Sequence, residues 1–220
     1  MMTRASTTRS PAETPTRDRL LGSAMDVFVA KGYHAAAVDD IVAASETSKG
    51  AFYHYFSSKQ EIFVTLVDAL GELVETGVET AIADERGALA KVEAALRVVL
   101  ETADTRRGLV KILLVEAVGL GPEFEEKRLE IHGRFARLIR RHLDHAVGEG
   151  SIPAQDTALA AQAWLGVLNE VITQWLATGS GRLTDRLPAL RAFLLRSVGA
   201  ADRARTVRQA RGARTGRQTR

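Results

Sequence analysis

Apolar residues recur along most of the chain at intervals of three and four, the spacing of one face of an α-helix. No run of alternating apolar and polar residues is long enough to predict a strand. The pattern therefore predicts an all-α protein with nine helices. Their expected ranges are 16–31, 39–44, 48–56, 59–82, 83–103, 106–120, 122–147, 155–177 and 185–198.

The second and third predicted helices are short and closely spaced, with a turn around Glu46 between them. A longer first helix precedes them and is expected to end at Lys31-Gly32, because a basic residue followed by glycine is a common helix end. Two short helices joined by a tight turn and supported by a longer helix are typical of a helix-turn-helix unit. In such a unit the second short helix can lie in the major groove of DNA.

The predicted third helix carries aromatic, hydroxyl and basic side chains in the segment "SKGAFYHYFSSKQEIF", residues 48–63. No Asp or Glu occurs from Ser48 to Tyr55, although residues 1–57 carry six acidic and six basic residues. A face without acids can approach phosphates, and its side chains can donate hydrogen bonds to phosphates or base edges. The residues expected to contact DNA are Thr47, Ser48, Lys49, Gly50, Ala51, Tyr53, His54 and Lys59.

Two phenylalanines of the same segment are expected to face the opposite way. Phe52 and Phe56 are four residues apart, so they lie on one side of a helix. We expect them to point inward, against Val27, Phe28 and Ile41.

The segment "VDDIVAASETSKGAFYHYFSSKQEIF", residues 38–63, resembles the DNA-reading part of the TetR-type transcriptional repressors. The resemblance implies a nine-helix architecture, with an N-terminal helix-turn-helix domain followed by a helical ligand-binding and dimerisation domain. It also implies that Tyr53 contacts the DNA backbone or a base and that Lys59 holds a phosphate. Ala51 and His54 would lie in the groove or at its wall. The matching positions include Ile41, Ser48, Gly50, Phe52, Tyr53, Phe56, Ser58, Lys59 and Ile62.

Two positions depart from that family pattern. Ala37 stands where the family commonly has a threonine that caps the second helix, so we expect the cap to be missing or supplied by Asp39. Glu46 stands where the family commonly has glycine in the turn. Glu46 then either adopts a left-handed conformation, which costs about 1 kcal/mol, or shifts the turn.

Charge and composition divide the chain into four expected segments. These are a disordered N-terminal arm at 1–13, a helix-turn-helix domain at 14–57, a ligand-binding and dimerisation domain at 58–199 and a disordered basic tail at 200–220. Residues 199–220 hold seven arginines against Asp202, while the whole chain has a net charge of +3. The tail either keeps the protein soluble or adds a sequence-independent attraction to polyanions such as DNA.

The predicted eighth helix is apolar around well over half of its circumference. One packing partner would not cover so wide a surface, so we expect burial on two sides, one of them against a second subunit. The ninth helix would complete the homodimer interface, and the alternative is a monomer with a central eighth helix. The residues concerned are Ala161, Trp164, Leu165, Leu168, Val171, Ile172, Trp175 and Leu176 on the eighth helix, and Leu187, Leu190, Phe193, Leu194 and Val198 on the ninth.

An apolar effector site is expected among the sixth, seventh and eighth helices. Its lining would be apolar, and a few polar groups would orient the ligand, each of which is alternatively an ordinary surface or core-edge residue. The candidates are Leu113, Leu114, Glu116, His132, Phe135, Leu138, Trp164, Leu168, Asn169 and Trp175.

Composition and motifs narrow the function classes further. The chain has no cysteine, which excludes disulfides and thiolate metal sites and favours a reducing cytoplasm. No apolar run is long enough to predict an export signal or a membrane span. His142 and His145 could share a metal, but the neighbouring arginines make a solvated basic face the better interpretation. We expect no enzyme, metal or cofactor.

These observations predict a homodimeric regulator that binds double-stranded DNA. We expect a repressor that a small apolar molecule releases from an inverted-repeat operator. The alternative is a helical dimer that binds ligands or partners without operator-specific DNA binding.

Overall fold

The structure is a computed structural model that describes residues 13–116 and 120–200. These residues form nine α-helices and no strand, which confirms the all-α prediction. The predicted arm and basic tail lie almost wholly outside the described residues. The helices are α1 (Glu13–Ala35), α2 (Val38–Ala44), α3 (Lys49–Tyr55), α4 (Lys59–Ala83), α5 (Ala88–Thr105), α6 (Arg107–Lys111), α7 (Pro122–Gly148), α8 (Thr157–Thr178) and α9 (Leu187–Ser197).

Several helix ends differ from the predicted ones. α5 begins at Ala88, five residues later than predicted, because Gly87 has a φ of 86°, which no right-handed helix contains. α6 is α-helical only to Lys111 and continues as a π-helix over Ile112–Glu116. A 3₁₀ turn, Leu183–Arg186, leads into α9.

The end of α1 follows the prediction. Gly32 has φ 78° and ψ 161°, so regular helical geometry stops at Lys31 and a kinked last turn runs on to Ala35. A positive φ at this position favours glycine, because a residue with a Cβ atom is strained in this conformation.

The described residues group into two compact units. The first comprises residues 13–73 and 106–131, and the second comprises 74–105 and 132–200. Helix α4 runs unbroken from Lys59 to Ala83 and begins two residues after Ser57, where the boundary between the two domains was predicted. That boundary stays an expectation.

Three phenylalanines connect the helices of the first unit. The ring of Phe63 lies 5.3 Å from that of Phe28 on α1 and 5.4 Å from that of Phe124 on α7, measured between centroids. All three side chains are fully or almost fully buried. These edge-on and tilted ring contacts hold the first half of α4 between α1 and the start of α7.

Helix α6 approaches α1 closely at Gly108. A Cβ added at this glycine would lie 2.6 Å from Cγ1 of Val29 on α1. That is closer than non-bonded carbon atoms come in proteins, so the contact requires the absence of a side chain at Gly108.

The second unit has an aliphatic core between α4, α5 and α7. Val78, Ile82 and Leu138 are its buried centre. Partly buried residues surround them, namely Val74, Ala94, Ala95, Val98 and Val99. An ion pair between Arg134 and Glu75, at 2.6 Å, joins α7 to α4 beside this core.

Asp104, at the end of α5, fixes the segment that enters α9. Its carboxylate accepts hydrogen bonds from the backbone N–H groups of Leu183 and Thr184, at 2.7 and 3.1 Å, and from the Thr184 hydroxyl at 2.9 Å. Burial alone would raise the pKa of Asp104, but these donors and Arg182 outweigh it and lower the pKa.

Among the described helices, none is both long and apolar enough to cross a membrane.

Candidate nucleic-acid interface

Helix α3 has one buried face and one exposed face. Phe52 and Phe56 are 0% and 2% exposed, which confirms the prediction that they face inward, whereas Tyr53 between them is 56% exposed. Val27, Phe28 and Ile41 are buried in the same unit. The helical period of 3.6 residues thus places the phenylalanines in the core and the tyrosine on the surface.

The start of α3 is capped by its own sequence. The Ser48 hydroxyl oxygen accepts a hydrogen bond from the N–H of Ala51 at 3.0 Å, so this oxygen is engaged in the cap. Lys49, Gly50 and His54 are exposed and Ala51 is half-buried. A Cβ at Gly50 would meet the Ser48 hydroxyl at 3.7 Å, an ordinary contact, so the described neighbours leave room for a side chain and close approach to DNA at Gly50 stays a prediction.

The turn between α2 and α3 is built around Glu46. Its φ is 51°, so it adopts the left-handed conformation and does not shift the turn. The N–H of Thr47 donates to the carbonyl of Val42 at 3.2 Å and that of Glu46 donates to Ala43 at 3.3 Å. These two bonds form a Schellman motif, which offsets the strain at Glu46. The Thr47 side chain lies 2.8 Å from the Ser45 hydroxyl, so it is tied into this turn.

The start of α2 has no side-chain cap at Ala37, which is one of the two expected alternatives. The carboxylate of Asp40 accepts the Ala37 N–H at 3.0 Å and so supplies only the reciprocal bond of a capping box. Asp39, which we expected in this role, instead forms an ion pair with Lys49 at 2.7 Å. Hydrogen bonds from Lys31 and from the Ala37 N–H lower the pKa of Asp40.

Lys59 is held by the protein itself. Its ammonium group donates to the carbonyl oxygens of Tyr33 and Ala36 at 2.8 and 2.9 Å and lies 4.4 Å from the Tyr33 ring centroid. Burial lowers the pKa of Lys59. The side chain therefore fixes the end of α1 against the start of α4, and a phosphate contact by the same group remains a prediction.

The candidate effector residues fall in both units. Leu113 and Leu114 belong to the π-helical segment of the first unit and are half-buried, and the side chain of Glu116 lies outside the described part. The others belong to the second unit. There the structure brings His132 of α7 within 3.4 Å of Asn169 of α8, atom Nε2 to atom Nδ2.

The remaining candidates of the second unit are packed within it. Leu138 is part of the aliphatic core with Val78 and Ile82, and Phe135 is half-buried. The indole N–H of Trp164 donates to the Ser197 hydroxyl at 3.0 Å and that of Trp175 to the Gly181 carbonyl at 3.1 Å. Leu168 is buried. These contacts give both tryptophans structural roles, and their part in ligand binding remains a prediction.

The apolar surface of α8 is largely covered within one chain. The burial of seven α8 side chains does not require a second subunit, because a single chain already covers them, and dimerisation through α8 and α9 stays a prediction. Those side chains are Thr157, Ala161, Trp164, Leu168, Ile172, Trp175 and Leu176. Among the described residues, the large apolar side chains exposed on α8 and α9 are Leu159, at 63%, and Phe193, at 50%.

Two protein-family models match the sequence. The model described as bacterial regulatory proteins of the tetR family matches residues 20–66, which hold the helix-turn-helix unit. The model described as a tetracyclin repressor-like C-terminal domain matches residues 85–198, about half of the chain.

Individual relatives agree with these models. The regulator TcmR of Streptomyces glaucescens is 32% identical over 133 residues, which cover 56% of this chain and 58% of TcmR. SrpR of Pseudomonas putida is 28% identical over 164 residues, covering 74% of this chain and 75% of SrpR. Both are HTH-type transcriptional regulators.

Solved structures have the same fold. FadR of Bacillus subtilis, solved in complex with stearoyl-CoA, superposes with a TM-score of 0.75 at 21% identity, covering 84% of this chain and 98% of FadR. PfmR of Thermus thermophilus superposes with a TM-score of 0.68 at 27% identity, covering 84% of this chain and all of PfmR. With its helix-turn-helix unit and both family models matched in order, this chain belongs to the TetR family of bacterial transcriptional regulators.

Proposed function

We propose that this protein is a repressor that binds an inverted-repeat operator through α3 and is released by a small apolar molecule. The observation that carries the proposal is the division of α3 into a buried phenylalanine face and an exposed face without acids. Ser48, Lys49, Tyr53 and His54 are exposed and can donate hydrogen bonds to phosphates or base edges. DhaR of Mycobacterium sp. GP1, 28% identical over 145 residues, is also named a repressor.

Replacing Tyr53 by alanine is expected to weaken binding to the DNA that flanks the protein's own gene by about tenfold or more. A hydrogen bond to a charged phosphate contributes about 1.5 to 3 kcal/mol. The Tyr53 side chain is exposed, so the melting temperature should stay unchanged. Electrophoretic mobility shift at fixed salt measures the affinity, and Tyr53→Phe separates the hydroxyl from the ring. If both variants bind this DNA as tightly as the parent, α3 is not the reading helix.

We place the effector in the second unit, where the polar pair His132 and Asn169 lies beside apolar residues of α7 and α8. A mostly apolar site with a few polar groups suits an apolar ligand that has one hydrogen-bonding end. FadR, which has this fold, was solved with stearoyl-CoA. Leu113, Leu114 and Glu116 belong to the first unit, and their expected part in ligand binding stays an untested prediction.

An effector that releases DNA is expected to change tryptophan fluorescence over the same concentration range. Trp164 and Trp175 are the two tryptophans of the chain, and both lie on α8. The coupling should lower operator affinity 5- to 150-fold, which corresponds to about 1 to 3 kcal/mol. Titration with stearoyl-CoA is a first measurement, with Trp164→Phe and Leu168→Ala as variants. A compound that releases DNA without a tryptophan response, and whose potency neither variant changes, would exclude this site.

A further inference from the structure

Both lysines in the described part of α1 to α3 are paired with aspartates of α2. Lys31 contacts Asp40 and Lys49 contacts Asp39, each at 2.7 Å between nitrogen and oxygen. The two aspartates are adjacent and lie in the first turn of α2. The charges of these two lysines are therefore already matched by carboxylates in the free protein.

The two ion pairs differ in what else they hold. The Asp40 carboxylate also accepts the Ala37 N–H at 3.0 Å and so stabilises the start of α2. The pair of Asp39 and Lys49 is open to solvent, with side chains 65% and 62% exposed. Asp39 can therefore be changed with little effect on the helix, whereas Asp40 cannot.

Lys49 is the first residue of α3, the helix expected in the major groove. A lysine in that position can donate to a phosphate of the groove wall. Asp39 uses the same ammonium group and would repel the phosphate that replaces it, since both are anions. The arrangement sets a protein carboxylate and a DNA phosphate in competition for one cation.

We propose that Asp39 determines the strength of DNA binding by holding Lys49 away from phosphate. The proposal rests on the proposed DNA-binding function. Because phosphate contacts carry no sequence information, Asp39 should weaken binding to any duplex DNA, operator or not. It acts as a positioning residue, because its carboxylate contacts Lys49.

Asp39→Asn removes the charge and keeps the side-chain shape. If Lys49 then neutralises one more phosphate, the slope of log affinity against log salt steepens by about 0.9 for each reading head, which is the helix-turn-helix unit of one subunit. The affinity gain at 50 mM salt should exceed that at 200 mM by about threefold to fourfold for each head. Fluorescence anisotropy with a labelled mixed-sequence duplex over a salt series measures both quantities.

Three further variants isolate the cause. Asp26→Asn makes the same charge change at an exposed position of α1, so it measures the effect of net charge alone. In a Lys49→Gln background, Asp39→Asn should act no more strongly than Asp26→Asn. Asp39→Ser provides a second uncharged replacement, and circular dichroism measures whether each variant is folded.

The outcomes separate this inference from the function on which it rests. A steeper slope for Asp39→Asn and Asp39→Ser, absent from Asp26→Asn and from the Lys49→Gln background, supports the role of Asp39. If the parent binds DNA but neither Asp39 variant steepens the salt slope more than Asp26→Asn does, the inference is wrong and the DNA-binding function stands. If the parent binds neither mixed-sequence nor gene-flanking DNA, both proposals are wrong.

Discussion

Replacing Asp104 by alanine is expected to lower the free energy of unfolding by about 3 kcal/mol, because hydrogen bonds to a charged group contribute about 1.5 to 3 kcal/mol and the variant leaves donors unpaired. The Asp104 side chain is only 10% exposed and receives three hydrogen bonds from Leu183 and Thr184. Urea unfolding followed by tryptophan fluorescence reports on this change, since Trp164 and Trp175 lie in the same unit.

The matched control is Asp185→Ala, at an exposed position of the same 3₁₀ turn, which should cost little. The effect of Asp104 should also depend on pH. Its pKa is lowered in the folded protein, so its contribution is complete above the unfolded pKa of about 3.9 and disappears as the pH falls through the lower, folded value. An equal loss of stability in both alanine variants at neutral pH would show that the Asp104 hydrogen bonds do not hold this turn.

Replacing Phe193 by glutamate is expected to weaken the homodimer by roughly a thousandfold. An aromatic residue at the centre of an interface contributes at least about 2 kcal/mol, and twofold symmetry counts the change twice, which gives about 4 kcal/mol. Phe193 on α9 is 50% exposed in the single chain. Such exposure is expected of an apolar ring that a second subunit covers. Sedimentation equilibrium measures the dissociation constant.

Leu129→Glu is the control, because Leu129 on α7 is 56% exposed and belongs to the first unit. Loss of the dimer should also abolish protection of the inverted repeat in footprinting, since two reading heads are expected to contact major grooves about 34 to 36 Å apart. If Leu129→Glu dissociates the dimer and Phe193→Glu does not, the interface lies on another surface.

Local signals explain how much of the reading head could be predicted. The starts and ends of α2 and α4 fall within one residue of the predicted ones, because helix periodicity and turn residues are local in sequence. The inward direction of Phe52 and Phe56 follows from their spacing alone. At Glu46 the family's glycine predicts either a left-handed conformation or a shifted turn, and the φ of 51° decides for the first.

Contacts between distant residues explain what could not be predicted. Lys59 reaches carbonyls 23 and 26 residues earlier in the chain, and no local pattern shows where such a side chain ends. Asp39 was the expected partner at the start of α2, and only the geometry shows that its neighbour Asp40 bonds to the Ala37 N–H. The wide apolar surface of α8 likewise predicts burial, but it does not indicate whether the same chain or a second chain covers it.

The contact between Gly108 and Val29 makes these two positions dependent on each other through evolution. A Cβ at Gly108 would overlap the valine methyl groups where they now lie, so alanine or serine at residue 108 requires the Val29 side chain to turn or to be replaced by a smaller one. Substitutions at the two positions should therefore be inherited together among close homologues, with their combined volume kept nearly constant. Such covariation would report the packing between α1 and α6. The variability of either position taken alone would not show it.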